Sequence, residues 1–293
     1  MIQVSKESAS GQRPTLSFEF FPPKKPEAEP LFWGTLERLS GYRPDFVSIT
    51  CGAGGSRQTG GGELVRKVHE QTGLHTVAHL TCVGASRPVL TEMLNFYRDC
   101  GITTLLALRG DPPRHEPAGT LEQGAFRYAE PFVAFIREYF PAFRIGVAAY
   151  PEGHPETPDL EQDQLHFRRK VEAGADFAVT QFFFDNDVYF RFTEECHRKG
   201  VHVPIYPGIM PVTDFKQLKR LSELCGSALP QWLVDRFAAT RDDPEAMLRT
   251  GVSIAVEQCR DLLARGAPGL HFFTLNQSVA VPSILEELAG EYY

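Results

Sequence analysis

Eight short apolar runs, separated by helical stretches, constrain this chain more than anything else in it. They cover residues 16–21, 45–51, 75–82, 103–108, 144–150, 176–184, 203–206 and 270–275. Several are apolar on both faces, as strands buried between two layers are. Pro22-Pro23, Pro112-Pro113, Pro151 and Pro207-Gly208 stand after four of them and are expected to end them, because proline brings no N–H to a ladder. Helical periodicity fills the intervals at 31–39, 63–71, 88–100, 128–140, 159–172, 187–198 and 214–225. Two further helices, 230–239 and 244–264, precede the last strand, and another at 281–289 follows it. Strands alternating with helices call for a parallel sheet with helical crossovers. A count of eight favours an α/β fold closed as a (β/α)8 barrel over an open doubly wound sheet, here with extra helices near the C-terminus. No Pro/Ser-rich linker or low-complexity tract interrupts the 293 residues. One catalytic barrel domain is therefore expected over 1–293, with residues 1–13 as a flexible tail.

Composition narrows the partners. A net charge of −7 provides no global basic field, so nucleic acid is not expected. The first residues are polar, without the apolar core of a signal peptide, and no apolar run reaches the roughly 18 residues of a membrane span. A cytoplasmic protein is the expectation. Six cysteines, at 51, 82, 100, 196, 225 and 259, contain no C-x-x-C pair. They read as small buried residues in a reducing compartment rather than as a disulfide framework or zinc site. His154 and Glu156 lack a third ligand at metal spacing, so no metal is expected.

In a parallel barrel the chemistry gathers where strands exit. The fourth strand ends in Arg109-Gly110-Asp111, which puts a guanidinium and a carboxylate at one tip, either for chemistry or as a turn ion pair. Other exits carry Ser48, Thr50, His79, Thr81, Tyr150, Glu152, His154, Thr180, Gln181, Thr274 and Asn276. Glu19, among Phe18, Phe20 and Phe21, is a carboxyl in apolar company. Desolvation favours its protonated form and suits it to general acid work, unless a buried Arg or backbone donor holds it. Asp111, between a glycine and a proline, is expected to stay ionised, so the two carboxyls would divide roles. Gln181, amid phenylalanines, needs either a ligand or a neighbour for its amide. The glycine-rich stretch 52–62 lacks both phosphate-loop patterns but could approach a phosphate or form a lid. Arg168-Arg169-Lys170 lies mid-helix, either as a solvated face or within reach of an anion.

Seven motifs, in order from about residue 15 to 277, resemble the bacterial methylenetetrahydrofolate reductases. They are Phe18-Glu19-Phe20-Phe21-Pro22-Pro23-Lys24, Ala78-His79-Leu80-Thr81-Cys82, Ala107-Leu108-Arg109-Gly110-Asp111 and Ala149-Tyr150-Pro151-Glu152-Gly153-His154-Pro155-Glu156, then Thr180-Gln181-Phe182-Phe183-Phe184, Pro207-Gly208-Ile209-Met210-Pro211 and Phe273-Thr274-Leu275-Asn276. The resemblance implies a TIM barrel with FAD at the strand C-termini and NADH or NADPH as hydride donor. By ping-pong transfer through the flavin, 5,10-methylenetetrahydrofolate would become 5-methyltetrahydrofolate in one-carbon and methionine metabolism. It also implies a homo-oligomer.

Residue by residue, Glu19 matches the family's general acid and Asp111 the carboxylate that binds the pterin and stabilises a cation. Gln181 matches the residue that takes folate and nicotinamide in turn, and Gln217 a position near either ligand. Thr50, His79, Leu108, Arg109, Gly110, Asp111, Tyr128, Ala129, Tyr150, His154, Asp163, Arg169 and Lys170 match FAD-contacting positions, with Arg169 and Lys170 towards the pyrophosphate. Cys51 replaces a common aromatic, Phe273 a frequent Tyr and Gln277 a frequent basic residue, which bears on ligand affinity and nicotinamide preference. The residues alone also suit an aldolase or pterin-dependent methyltransferase barrel without flavin, or a folate- or flavin-binding module without turnover.

Overall fold

The computed structural model describes residues 13–50, 61–110, 124–157, 159–240, 243–277 and 279–292. The expected tail up to residue 12, Cys51, most of the glycine-rich stretch, Asp111 and Pro112-Pro113 lie outside the described residues. The strands are β1 (Thr15–Phe20), β2 (Phe46–Ile49), β3 (Thr76–Thr81), β4 (Thr104–Leu108), β5 (Arg144–Ala149), β6 (Phe177–Phe182), β7 (Ile205–Ile209) and β8 (Gly269–Phe273). All pair in parallel in sequence order, and β8 pairs with β1 to close the barrel. The helices are α1 (Glu29–Ser40), α2 (Gly61–Thr72), α3 (Arg87–Asp99), α4 (Ala129–Tyr139), α5 (Leu160–Glu172), α6 (Asn186–Arg198), α7 (Phe215–Cys225), α8 (Gln231–Ala238), α9 (Pro244–Ala264) and α10 (Ala280–Leu288). The (β/α)8 barrel with added C-terminal helices is the expected one.

Helix starts follow local chemistry. Asp159, Asp185, Asp214 and Asp243 stand at the N-caps of α5, α6, α7 and α9, each accepting a backbone N–H of the first turn. On β1, Leu16, Phe18 and Phe20 face the helices and join one large apolar cluster with Leu36, Leu80, Val147, Leu270 and Phe272. Period two then turns Ser17 and Glu19 into the barrel.

The barrel interior has two levels. Phe46, Phe177 and Tyr206 meet with ring centroids 6.0–6.2 Å apart and, with Val77 and Leu106, plug one level. Gly146 makes room for this plug, since a Cβ there would run into the Phe177 ring. The next level holds Glu19, Ser48, His79 and His271, all buried. An aromatic floor thus lies beneath a polar layer.

The seventh strand departs from expectation. Pro207-Gly208 does not end it, because β7 continues to Ile209. The β6–β7 register shifts between Val179 and Phe182, and Gly208 N–H donates to the Thr180 hydroxyl at 2.9 Å. A side chain replaces the interrupted ladder there, which is how a sheet accommodates proline. The last strand is shorter than expected, because Leu275 and Asn276 turn into left-handed backbone with φ of 49° and 57°. Asn276 compensates through its amide, which accepts from Phe21 N–H at 2.9 Å and donates to Phe21 O at 2.7 Å.

Candidate active site

Glu19 is the polar centre of the barrel. Neither an arginine nor a backbone donor is found on its carboxylate among the described residues. Two imidazoles flank it instead, with Oε2 lying 3.4 Å from His79 Nε2 and 3.6 Å from His271 Nε2. Neither contact is aligned as a hydrogen bond, and both Nε2 atoms, like Ser48 Oγ, are buried polar atoms with no hydrogen-bond partner among the described residues. Such atoms are costly and point to a functional layer. Burial pushes His79 below the usual imidazole pKa, with the Glu19 carboxylate opposing.

Behind His271, Nδ1 lies 2.8 Å from Ser17 Oγ, which is 3.2 Å from Leu270 O. The serine has one hydrogen. Donated to Leu270 O, it leaves Ser17 accepting an Nδ1–H. Donated to Nδ1, it puts the imidazole proton on Nε2, facing Glu19. Ser17 and His271 were not singled out from the sequence. The available signal was period two, since Ser17 shares a face with Glu19, and His271 pairs with Ser17 across the β1–β8 seam.

A separate cavity of about 500 Å³ lies at the exits of β4 and β5, on the side of the barrel away from the β1–β8 seam. Leu108, Arg109, Gly110, Tyr128, Ala129, Tyr150, His154, Asp163 and Lys170, nine of the residues matched to FAD contacts, line it. Gly110 is in left-handed backbone (φ 82°), and a Cβ would come within 2.8 Å of Thr81 and Val83, so only glycine lets the chain turn there after Arg109. Lys170 donates to the Ala148 carbonyl at 2.6 Å. Burial lowers its pKa to about 8, with Asp163 opposing. Asp163 is buried and pushed upward by desolvation, against the pull of Lys170, His166 and the His154 backbone N–H. Arg109 forms a two-pronged ion pair with Glu156, not foreseen from the sequence. His166 also lines the cavity, stacked at 6.2 Å on Tyr128.

Three matched positions lie elsewhere. His79 is in the polar layer, and Thr50, half-buried, follows β2 with its N–H on Phe20 O. Arg169 is exposed on α5 and does not line the cavity, whereas its neighbour Lys170 does. On an α-helix the directions of adjacent side chains differ by about 100°. Asp111 lies outside the described residues. Gln181, next to last in β6, is half-buried, and its side-chain Oε1 accepts the N–H of Phe182 at 3.0 Å. Gln217 is exposed in the first turn of α7, at a cleft shared with Thr213 and Leu275. Gln277 is bonded to the Thr213 hydroxyl at 2.7 Å.

Comparison with known proteins gives this geometry a family. The family model for methylenetetrahydrofolate reductase matches residues 4–289. The 5,10-methylenetetrahydrofolate reductase of Pectobacterium carotovorum is 38% identical over 266 residues, covering 91% of this chain and 87% of that one. The Escherichia coli enzyme of that name is 39% identical over 263 residues, covering 90% and 86%. Methylenetetrahydrofolate reductase (NADH) 1 of Arabidopsis thaliana is 36% identical over 296 residues, 98% of this chain but 50% of its own length. Among solved structures, a Clostridium thermocellum protein that binds 5-methyl-5,6,7,8-tetrahydrofolic acid shares the fold, with a TM-score of 0.63 at 15% identity over 95% of both chains. No described helix is long and apolar enough to cross a membrane. With a family model matching nearly its whole length and bacterial relatives 38–39% identical over about nine-tenths of it, the chain belongs to the methylenetetrahydrofolate reductases, oxidoreductases of folate metabolism.

Proposed function

We propose that this reductase uses FAD as a hydride carrier and NADH or NADPH as donor, converting 5,10-methylenetetrahydrofolate to 5-methyltetrahydrofolate in two alternating half-reactions. The observation that carries the reading is the cavity at the β4 and β5 exits, lined by nine of the residues matched to FAD contacts. Its lining fits FAD. Arg109 and Lys170 suit a pyrophosphate, Tyr128 offers a flat ring, and the volume suits part of a large dinucleotide. When bound, FAD would supply the two-electron chemistry that no side chain offers.

The protein supplies position and protons. Glu19 gives a proton to N10 of the folate as the imidazolidine ring opens to a 5-iminium cation, and the ionised Asp111 stabilises that cation. The aromatic floor keeps bulk water from entering Glu19's layer from below. When the Ser17 hydroxyl donates to His271 Nδ1, the Nε2–H of His271 faces Glu19 and steadies the carboxylate left after the proton has gone to the substrate. Gln181 presents its amide to folate and nicotinamide in turn, which makes the two substrates exclude each other and gives ping-pong kinetics.

Anaerobic absorbance spectra test the reading. Flavin absorbance that bleaches on adding NADH or NADPH and returns on adding methylenetetrahydrofolate is the expected result. A folded protein that neither carries nor takes up FAD would refute it. Glu19→Gln separates the halves. Flavin reduction by nicotinamide should persist, while folate reduction falls by roughly 10²–10⁴. Equal loss in both halves would remove Glu19 from the acid role.

A further inference from the structure

Glu156 has no part in the chemistry above, yet two of its groups fix the state of two residues lining the cavity. Its carboxylate accepts from Arg109 Nη1 at 2.5 Å and Nη2 at 3.0 Å, while Arg109 Nε donates to Gly110 O at 3.2 Å. The guanidinium side chain is 17% exposed and the carboxylate side chain 53%. The hydrogen bond from Arg109 holds the Glu156 carboxyl below its usual pKa, against a smaller effect of burial. A planar fork gripped at three of its nitrogens has one orientation.

The second group is the backbone N–H of Glu156, which donates to His154 Nδ1 at 3.1 Å. A ring nitrogen that accepts carries no hydrogen, so neutral His154 keeps its proton on Nε2. The Tyr150 ring packs edge-on against this imidazole at 4.7 Å and limits its rotation. Arg109 follows β4, and His154 lies in the loop between β5 and α5. Glu156 therefore ties two walls of one cavity together.

We infer that Glu156 is a positioning residue of the cofactor cavity. Its carboxylate sets the Arg109 guanidinium, and its N–H sets His154 as an Nε2–H donor, so that both meet the oxygens of a pyrophosphate-bearing cofactor already oriented. This rests on the FAD reading. Orientation made before binding spares the ordering of a long side chain when the ligand arrives. A carboxylate near an anionic ligand would by itself weaken binding. The inference therefore makes a directional claim, that the gain from order exceeds the loss from charge.

The test has one arm without flavin and one with ligands. In ¹⁵N-labelled apoprotein, Arg109 should give two resolved Nη signals, reporting hindered rotation of the guanidinium, and Glu156→Gln should merge them. The ring nitrogen shifts of His154 should report the Nε2–H tautomer. FAD and inorganic pyrophosphate should both bind about tenfold more weakly to Glu156→Gln, with Glu156→Asp intermediate because it keeps the charge but is one methylene short. Glu156→Gln binding either ligand as tightly as the wild type, or more tightly, overturns the inference. So do merged Arg109 signals in the wild type or a His154 proton on Nδ1. A wild type that takes up pyrophosphate but no FAD sinks the flavin reading, while the pyrophosphate comparison and the two spectra still decide the role of Glu156.

Discussion

Lys170 is the residue through which pH should reach the cavity proposed to hold FAD. In the folded protein its proton leaves near pH 8, whereas the unfolded chain holds it to about 10.5. Between those values the unfolded state binds more protons, so the stability of the unliganded protein should rise with pH across that window. The cost of a charged, half-buried Lys170 is present in full below the lower value and is on the order of 3 kcal/mol. An anionic ligand reverses the balance. A pyrophosphate beside Lys170 favours the ammonium, raises its pKa and draws in a proton on binding. At pH 9 roughly nine-tenths of the free protein has a neutral Lys170, so FAD should bind about tenfold more weakly than at pH 7. Titrating apoprotein with FAD from pH 7 to 9.5 measures this. Calorimetry in two buffers of different ionisation heat should find about half a proton taken up at pH 8. Lys170→Arg should flatten the affinity profile, because a guanidinium stays charged throughout. A wild-type Kd that does not change over this range, with no proton uptake, would refute the reasoning.

Two substitutions away from the chemistry probe the scaffold. Gly251 on α9 abuts residue 212, and a Cβ would drive into the Val212 carbonyl oxygen, a backbone atom with no rotamer to yield. Gly251→Ala should lower stability by about 2–3 kcal/mol, read as a lower urea midpoint at constant slope, and an unchanged midpoint would mean the helix slides freely. Arg137 donates to the carbonyls of Gly174, Pro141 and Phe143 and pairs with Asp176 at 2.7 Å, whose carboxylate also accepts Ile145 N–H. Arg137→Met should lose about 2 kcal/mol by leaving these acceptors unpaired while FAD affinity holds, and a loss of affinity instead would show coupling to the cavity.

Much of this molecule was legible in its residues. Apolar runs at strand length, aspartates before helices and polar residues after strands each have a local cause, so the barrel and its functional end follow from short windows of sequence. Glu19 stood out because its neighbours are phenylalanines. What surrounds it was not legible, because His79 and His271 come from strands β3 and β8 and meet only when the barrel closes. The Arg109–Glu156 pair spans 47 residues and depends on a loop conformation with no sequence signature. Pro207 misled for a physical reason. Its missing N–H argues against a strand interior, but the β6–β7 register shifts there and the Thr180 hydroxyl takes the N–H of Gly208 across the break. Arg169 and Lys170 are adjacent in sequence, but helical geometry sends just one of them to the cavity.

The Asn276 bridge to Phe21 has a consequence for how the protein is made. The two residues are 255 positions apart, and the β1–β8 ladder they sit beside joins equally distant segments. Ribosomes deliver the chain from its N-terminus at about 5–20 residues per second. After β2 has emerged, β1 must therefore wait on the order of ten seconds or more with its other edge unpaired. Throughout that interval the growing chain carries an open parallel edge, the kind of surface that captures other chains. The two left-handed residues at Leu275 and Asn276 bend the chain end so that the amide reaches Phe21. They act as a clasp formed late in synthesis, when the nascent chain ceases to be a hazard to its neighbours.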